Sequence, residues 1–118
     1  MATLSAKLTL SSTDLTSDAL NMTVSDLIDI SKAVELKRVV LSTTAASILA
    51  AASYTKAFVF VKNMDSAISI KLVKAEGGDE FIDLGPGEFG FFPWSTAVDL
   101  KADAASGTPV LEVGIFEV

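Results

Sequence analysis

The carboxylates between Asp79 and Glu88 are the residues whose type and spacing come nearest to a chemistry. Asp79, Glu80, Asp83 and Glu88 follow a Gly77-Gly78 turn and stand beside Phe81, Phe89, Phe91, Phe92 and Trp94. Two carboxyls facing one cleft, with aromatic rings to stack a sugar, are what glycoside hydrolysis needs. These acids, however, fall at turns and strand edges, where a solvated carboxylate is the default. An active site needs instead a few polar groups converging in an apolar pocket. The chain also has no histidine and no cysteine. That removes the Ser-His-Asp triad, the Cys-His pair, the Cys-x-x-Cys redox site and zinc sites of Cys and His together. The chain therefore reads as non-enzymatic, with no catalytic residue and no cofactor.

Oxygen ligands alone could still hold calcium. The alternating Asp/Asn spacing of an EF-hand loop is absent, and Glu76 to Glu80 reads as a wet acidic hairpin tip with no metal. Gly85-Pro86-Gly87 lacks the Lys-Ser/Thr of a phosphate-binding loop and precedes a strand, not a helix. It fits a type II turn, with proline presetting its own φ and Gly87 free to take a positive one.

Glu88-Phe-Gly-Phe-Phe-Pro-Trp94 is the most distinctive local stretch. As a strand it puts Phe89 and Phe91 on one face, read as core, and Phe92 on the other. Pro93 marks an edge, because it cannot donate to a sheet ladder. Trp94, just past that proline, is the leading interface anchor, with Phe92 and Tyr54 as further interface candidates. A carbohydrate-binding module using Trp94, Tyr54 and nearby carboxylates is the rival reading.

The elements that would position these residues are strands. Apolar residues alternate at Leu4-Ala6-Leu8-Leu10, at Leu20-Met22-Val24 and at Ile68-Ile70-Leu72. Glu35 to Thr43 is rich in β-branched residues, and Ala57 to Lys62 is a nearly continuous apolar run, as in a central strand covered on both faces. Phe81–Leu84, Glu88–Phe92, Val98–Ala102 and Val110–Val118 complete the set. Asn63-Met64-Asp65-Ser66 and Glu76-Gly77-Gly78-Asp79 read as tight hairpins. Ser25 to Ala33 reads as strand, with a short helix capped by Ser25 as the alternative. Thr44 to Ala52 reads as loop or helical turn, given its alanines. No long hairpin is visible. About eight short strands predict a single all-β domain over 1–118, an antiparallel sandwich of jelly-roll type.

Composition sets the class of partner. Half of the 118 residues are hydrophobic and the mean hydropathy is +0.50, yet no apolar run approaches the roughly 20 residues of a spanning helix. Apolar surface buried between subunits accounts for the excess and predicts a homo-oligomer. A net charge of −6 and a pI near 4.4 disfavour nucleic acid and anionic membranes. The N-terminus shows no basic region followed by an apolar core, so no signal peptide is expected, and the sequon Asn21-Met22-Thr23 reads as chance.

From Lys56-Ala-Phe-Val-Phe-Val-Lys-Asn through Asp83-Leu-Gly-Pro-Gly-Glu-Phe-Gly-Phe-Phe-Pro-Trp94 to Leu111-Glu-Val-Gly-Ile-Phe-Glu117, the chain resembles small all-β virion structural proteins of tailed bacteriophages, those of marine and photosynthetic hosts above all. The motifs specify an order of strands and turns and carry no site residues. The resemblance implies a particle component made in the host cytoplasm. Head decoration (cement) on the capsid surface fits best, with the major capsid protein or other virion proteins as partners and a trimer as the favoured oligomer. Tail, neck and fibre-associated parts are the alternatives.

Overall fold

A computed structural model describes residues 2–15, 17–32, 34–50, 56–74, 80–95 and 98–118, which form ten β-strands and no helix. They divide into two compact units, Met1–Ser31 and Lys32–Val118.

The first unit is a hairpin. β1 (Ala2–Ser12) and β2 (Leu20–Ile30) pair antiparallel over 11 residues each, with Leu8 opposite Val24 and Leu10 opposite Met22. Alternation collects Leu4, Leu8 and Leu10 with Met22, Val24 and Ile28 on one face, interrupted by Asp26, and Ser, Thr, Lys7 and Asp29 on the other, together with Leu27. At the tip the Ser12 hydroxyl donates to Asp14 Oδ1 at 2.9 Å and accepts the Leu15 N–H at 3.2 Å. Of the stretch Ser25 to Ala33 read as strand, Ser25 to Ile30 is strand and continues β2. The expectation that the chain has no long hairpin is overturned: neither arm is unusual alone, and only their pairing makes the feature long.

The second unit is an antiparallel sandwich. Its strands are β3 (Val34–Val40), β4 (Ala46–Leu49), β5 (Lys56–Asn63), β6 (Ile70–Lys74), β7 (Glu80–Leu84), β8 (Phe89–Ser95), β9 (Leu100–Ala104) and β10 (Val110–Glu117). One sheet runs β3-β10-β5-β8 and the other β4-β9-β6-β7. The pairs β3·β10, β4·β9, β5·β8 and β6·β7 nest, the first strand with the last and so inward. A ribbon of nested antiparallel pairs wound into two sheets is the jelly roll. Between the sheets lies one apolar core, with Val59, Val61, Leu111, Val113 and Ile115 from the first sheet and Ile48, Leu49, Ile70, Leu72 and Leu100 from the second.

Three local readings change. Residues 46–49 are strand, not loop or helical turn: pairing with β9 and burial of Ile48 and Leu49 override the helical preference of alanine. Residues 63–66 do not close a hairpin, because β5 and β6 belong to different sheets. They form a corner held by Asn63, which is fully buried. Its side-chain N–H₂ donates to the carbonyls of Ile68 at 2.8 Å, Leu84 at 3.0 Å and Gly85 at 3.1 Å, and its Oδ1 accepts the Asp65 N–H at 3.0 Å. Gly85 to Glu88 is a second such corner, from β7 to β8. There Gly87 has φ of 76° and the Glu88 N–H reaches the Gly85 carbonyl at 3.1 Å, as a type II turn requires. The third change concerns β5. It is central in its sheet, but only Ala57, Val59 and Val61 face the core, while Phe58 and Phe60 point the other way and are partly exposed.

Candidate interaction surface

The outer faces of the two sheets differ. On β4-β9-β6-β7 the outward rows read Ser47–Lys101–Val73–Glu80 and Asp103–Lys71–Asp83, a mainly polar surface, with Val73 the one apolar member of these rows, of the kind an antiparallel sandwich shows to water. On β3-β10-β5-β8 the outward rows read Val34–Phe116–Phe58–Pro93, then Leu36–Gly114–Phe60–Phe91, then Arg38–Glu112–Lys62–Phe89. Two of these three rows carry no polar side chain.

Phe58 and Phe91 stack at 5.7 Å between centroids and 14° between planes, and Phe60 and Phe89 lie 6.5 Å apart. Lys56 Nζ sits 5.8 Å from the Phe58 centroid, within cation–π range. Arg38 pairs with Glu112 at 3.2 Å across the neighbouring strand. Leu36 is 73% exposed, Phe89 59% and Phe91 39%. Between Leu36, Phe60 and Phe116 the surface dips into a groove of about 470 Å³ whose floor is Gly114. A Cβ at Gly114 would stand 3.1 Å from the Phe116 ring and 3.3 Å from Leu36, so a side chain there would crowd both and narrow the dip.

Phe89 and Phe91 are thus not core residues. The alternation of β8 was legible, but its polarity was not. Phe92 and Trp94 pair with Val59 and Ala57, which face the core, and this forces Phe89 and Phe91 outward.

The interface candidates fall elsewhere. Phe92 and Trp94 are partly buried against the core. Trp94 stacks on Phe81 at 5.5 Å, and Phe92 meets both rings edge-on, at 6.4 Å from Phe81 and 6.1 Å from Trp94. Phe81 belongs to β7 and the other two to β8, the edge strands of the two sheets, so the trio closes one side of the sandwich. The Trp94 indole N–H donates to the Val98 carbonyl at 3.1 Å. One face and the polar handle of this indole are already engaged within the domain. Tyr54 lies outside the described residues.

The acids are dispersed in role. Glu88 accepts the Gly85 N–H and braces its own turn. Glu80 pairs with Lys71 at 3.5 Å, and Asp83 is exposed on β7. Asp79 and the Gly77-Gly78 turn lie outside the described residues. Among the described residues no group of three acids is placed to hold a metal ion. Sequence reasoning passed over Leu36, Phe58, Phe60 and Phe116 as a surface. The available signal was the unbroken apolar run of β5, which reads as two-sided burial whether or not the second cover belongs to the same chain.

No family model, curated protein or solved structure matches this chain.

Proposed function

We propose that this chain is a non-enzymatic structural subunit of a virus particle, a decoration protein that seats on the capsid surface beside the major capsid protein. The observation that carries the reading is the apolar outer face of the β3-β10-β5-β8 sheet. A contiguous face bearing Leu36, Phe60, Phe89 and Phe91 is a liability in a free monomer and an asset in a subunit packed among others. The opposite sheet face is mainly polar and the chain carries a net charge of −6, as suits a subunit with one side buried and one in water. Jelly rolls occur in viral coats and equally in lectins and cupins, so the fold by itself favours none of these. The order of strand and turn motifs, which resembles that of small virion proteins of tailed phages, adds the particle.

A tail or neck position is the second reading, favoured by the 11-residue arms of the β1–β2 hairpin, a length suited to reaching neighbouring subunits. Quantitative mass spectrometry of purified particles, scaled to the major capsid protein, separates the two. A copy number comparable to the shell protein is the expected result and places the chain in the capsid lattice. A few to a few dozen copies move it to the tail or neck, and absence from the particle overturns the virion reading.

A further inference from the structure

We propose that each copy lays its β1–β2 hairpin across the outer face of the β3-β10-β5-β8 sheet of the next copy, joining subunits head to tail. This deepens the reading of the chain as an assembling structural subunit and rests on it. Two apolar faces of one chain are exposed. The first is the sheet face described above. The second is the hairpin face, where Met22 is 54% exposed and Val24 63%, with Leu8 and Leu10 opposite them. A two-stranded hairpin is marginally stable in water, and its amphipathic face calls for a cover. One contact repeated between copies covers both faces.

Charge selects this pairing over like on like. Residues 1–31 carry one cation, Lys7, against Asp14, Asp18, Asp26 and Asp29, and Asp26 is the one charged residue on the apolar face of the paired strands. The outer sheet face carries Lys56, Lys62 and Arg38 against Glu112. Two hairpins set together would bring acid to acid, and two sheet faces cation to cation. Hairpin on sheet brings opposite signs together, and Asp26 lies within the apolar row of β2, where it would meet the Arg38–Glu112–Lys62 row. Shape agrees as well. Ile28 and Ile30 at the base of the hairpin are already buried, so the free part is its outer half, where Leu8 to Ser12 span about 16 Å and can cover more than half of the 8-residue β5 at about 26 Å. The groove over Gly114 offers a socket for one of its aliphatic side chains. A head-to-tail contact closes into a ring if the rotation per subunit permits, and each copy then makes the contact twice.

The test needs two variants, Val24→Asp on the hairpin and Leu36→Asp on the sheet, both at exposed positions. Sedimentation equilibrium across a concentration series is expected to show the wild type self-associating and each variant weakened at least about tenfold. Mixed in equal amounts, the two variants are expected to form a one-to-one pair, because one keeps an intact sheet face and the other an intact hairpin. A monomeric wild type overturns the proposal, as does a mixture that stays monomeric or a variant that associates like wild type. The chain has no cysteine of its own, which supplies a second measurement should a charged variant fail to form its hairpin. Val24→Cys and Leu36→Cys proteins, mixed and oxidised, are expected to give predominantly the mixed disulfide. Predominance of either symmetric dimer, or an intramolecular bridge in the double variant, overturns the proposal. None of these overturning results bears on the particle reading, which stands or falls on copy number.

Discussion

Asn63 sits where β5 leaves one sheet and the chain crosses to the other, and its side-chain amide reaches three carbonyls that belong to two separate corners. Replacing it with leucine keeps the branched shape and the number of heavy atoms and removes every one of these bonds. Buried acceptors left without a donor cost about 1–3 kcal/mol each, less where water can enter. We expect Asn63→Leu to lose about 2–4 kcal/mol of stability in urea unfolding; a loss under about 0.5 kcal/mol would show the corners to be set by their backbones alone. The turn character of Asn63 was legible from its type. Its burial was not, because the carbonyls it serves at Leu84 and Gly85 lie some twenty residues away in sequence. Asp65 next to it carries a pH signature. Its carboxylate accepts the N–H of Ala67 and then that of Ile68, which holds its pKa below the ordinary value against a smaller opposing effect of burial. A depressed folded pKa means that the stabilisation is complete above the unfolded pKa, near 4, and fades as pH falls through the folded one. The stability difference between wild type and Asp65→Ala is therefore expected to be constant from about pH 5 to 8 and to narrow below about pH 4. A gap that widens on acidification would reverse the sign. With no histidine in the chain, the wild type itself should change little between about pH 6 and 8.

At the scale of elements, strands are assigned by alternation, but faces are assigned by partners. Phe89 and Phe91 read as core because aromatic residues usually are, and the partner strand β5 decides otherwise. This gives a contrast that unfolding can measure. Ile115, fully buried from β10, is expected to cost about 2–5 kcal/mol when cut to alanine. Phe89→Ser, on the exposed face, is expected to change monomer stability by no more than about 0.5 kcal/mol while weakening any self-association. Equal losses at the two sites would mean that the outer face is packed within the monomer. The periods, the turn at Gly85-Pro86-Gly87 and the sandwich class were all legible from the chain. The corner at Asn63 was misread because turn residues reverse a chain equally well between paired strands and between sheets. β4 was missed because four residues rich in small side chains show no period, and only β9 makes them a strand.

For the molecule as a whole, the nested pairing is the least legible property. β3 joins β10 and β4 joins β9 across most of the second unit, and no local pattern announces such long-range partners. The same nesting makes a firm statement about autonomy. All eight sandwich strands lie between Val34 and Glu117, and the core cluster contains no residue from the first unit. The fragment 32–118 therefore holds every contact that a jelly-roll core requires, at a length of 87 residues (118 − 31), large enough to fold without disulfide or metal. It is expected to unfold in one cooperative transition and to keep the β-sheet signature and dispersed amide spectrum of a packed domain. It also leaves the outer sheet face intact and removes the hairpin, so it should be monomeric where the full chain assembles. Added to full-length protein, it should cap assemblies by accepting a hairpin and offering none. An unfolded fragment would mean that residues 1–31 form part of the folding unit; a folded fragment that still assembles would place the contact between subunits within the sandwich alone.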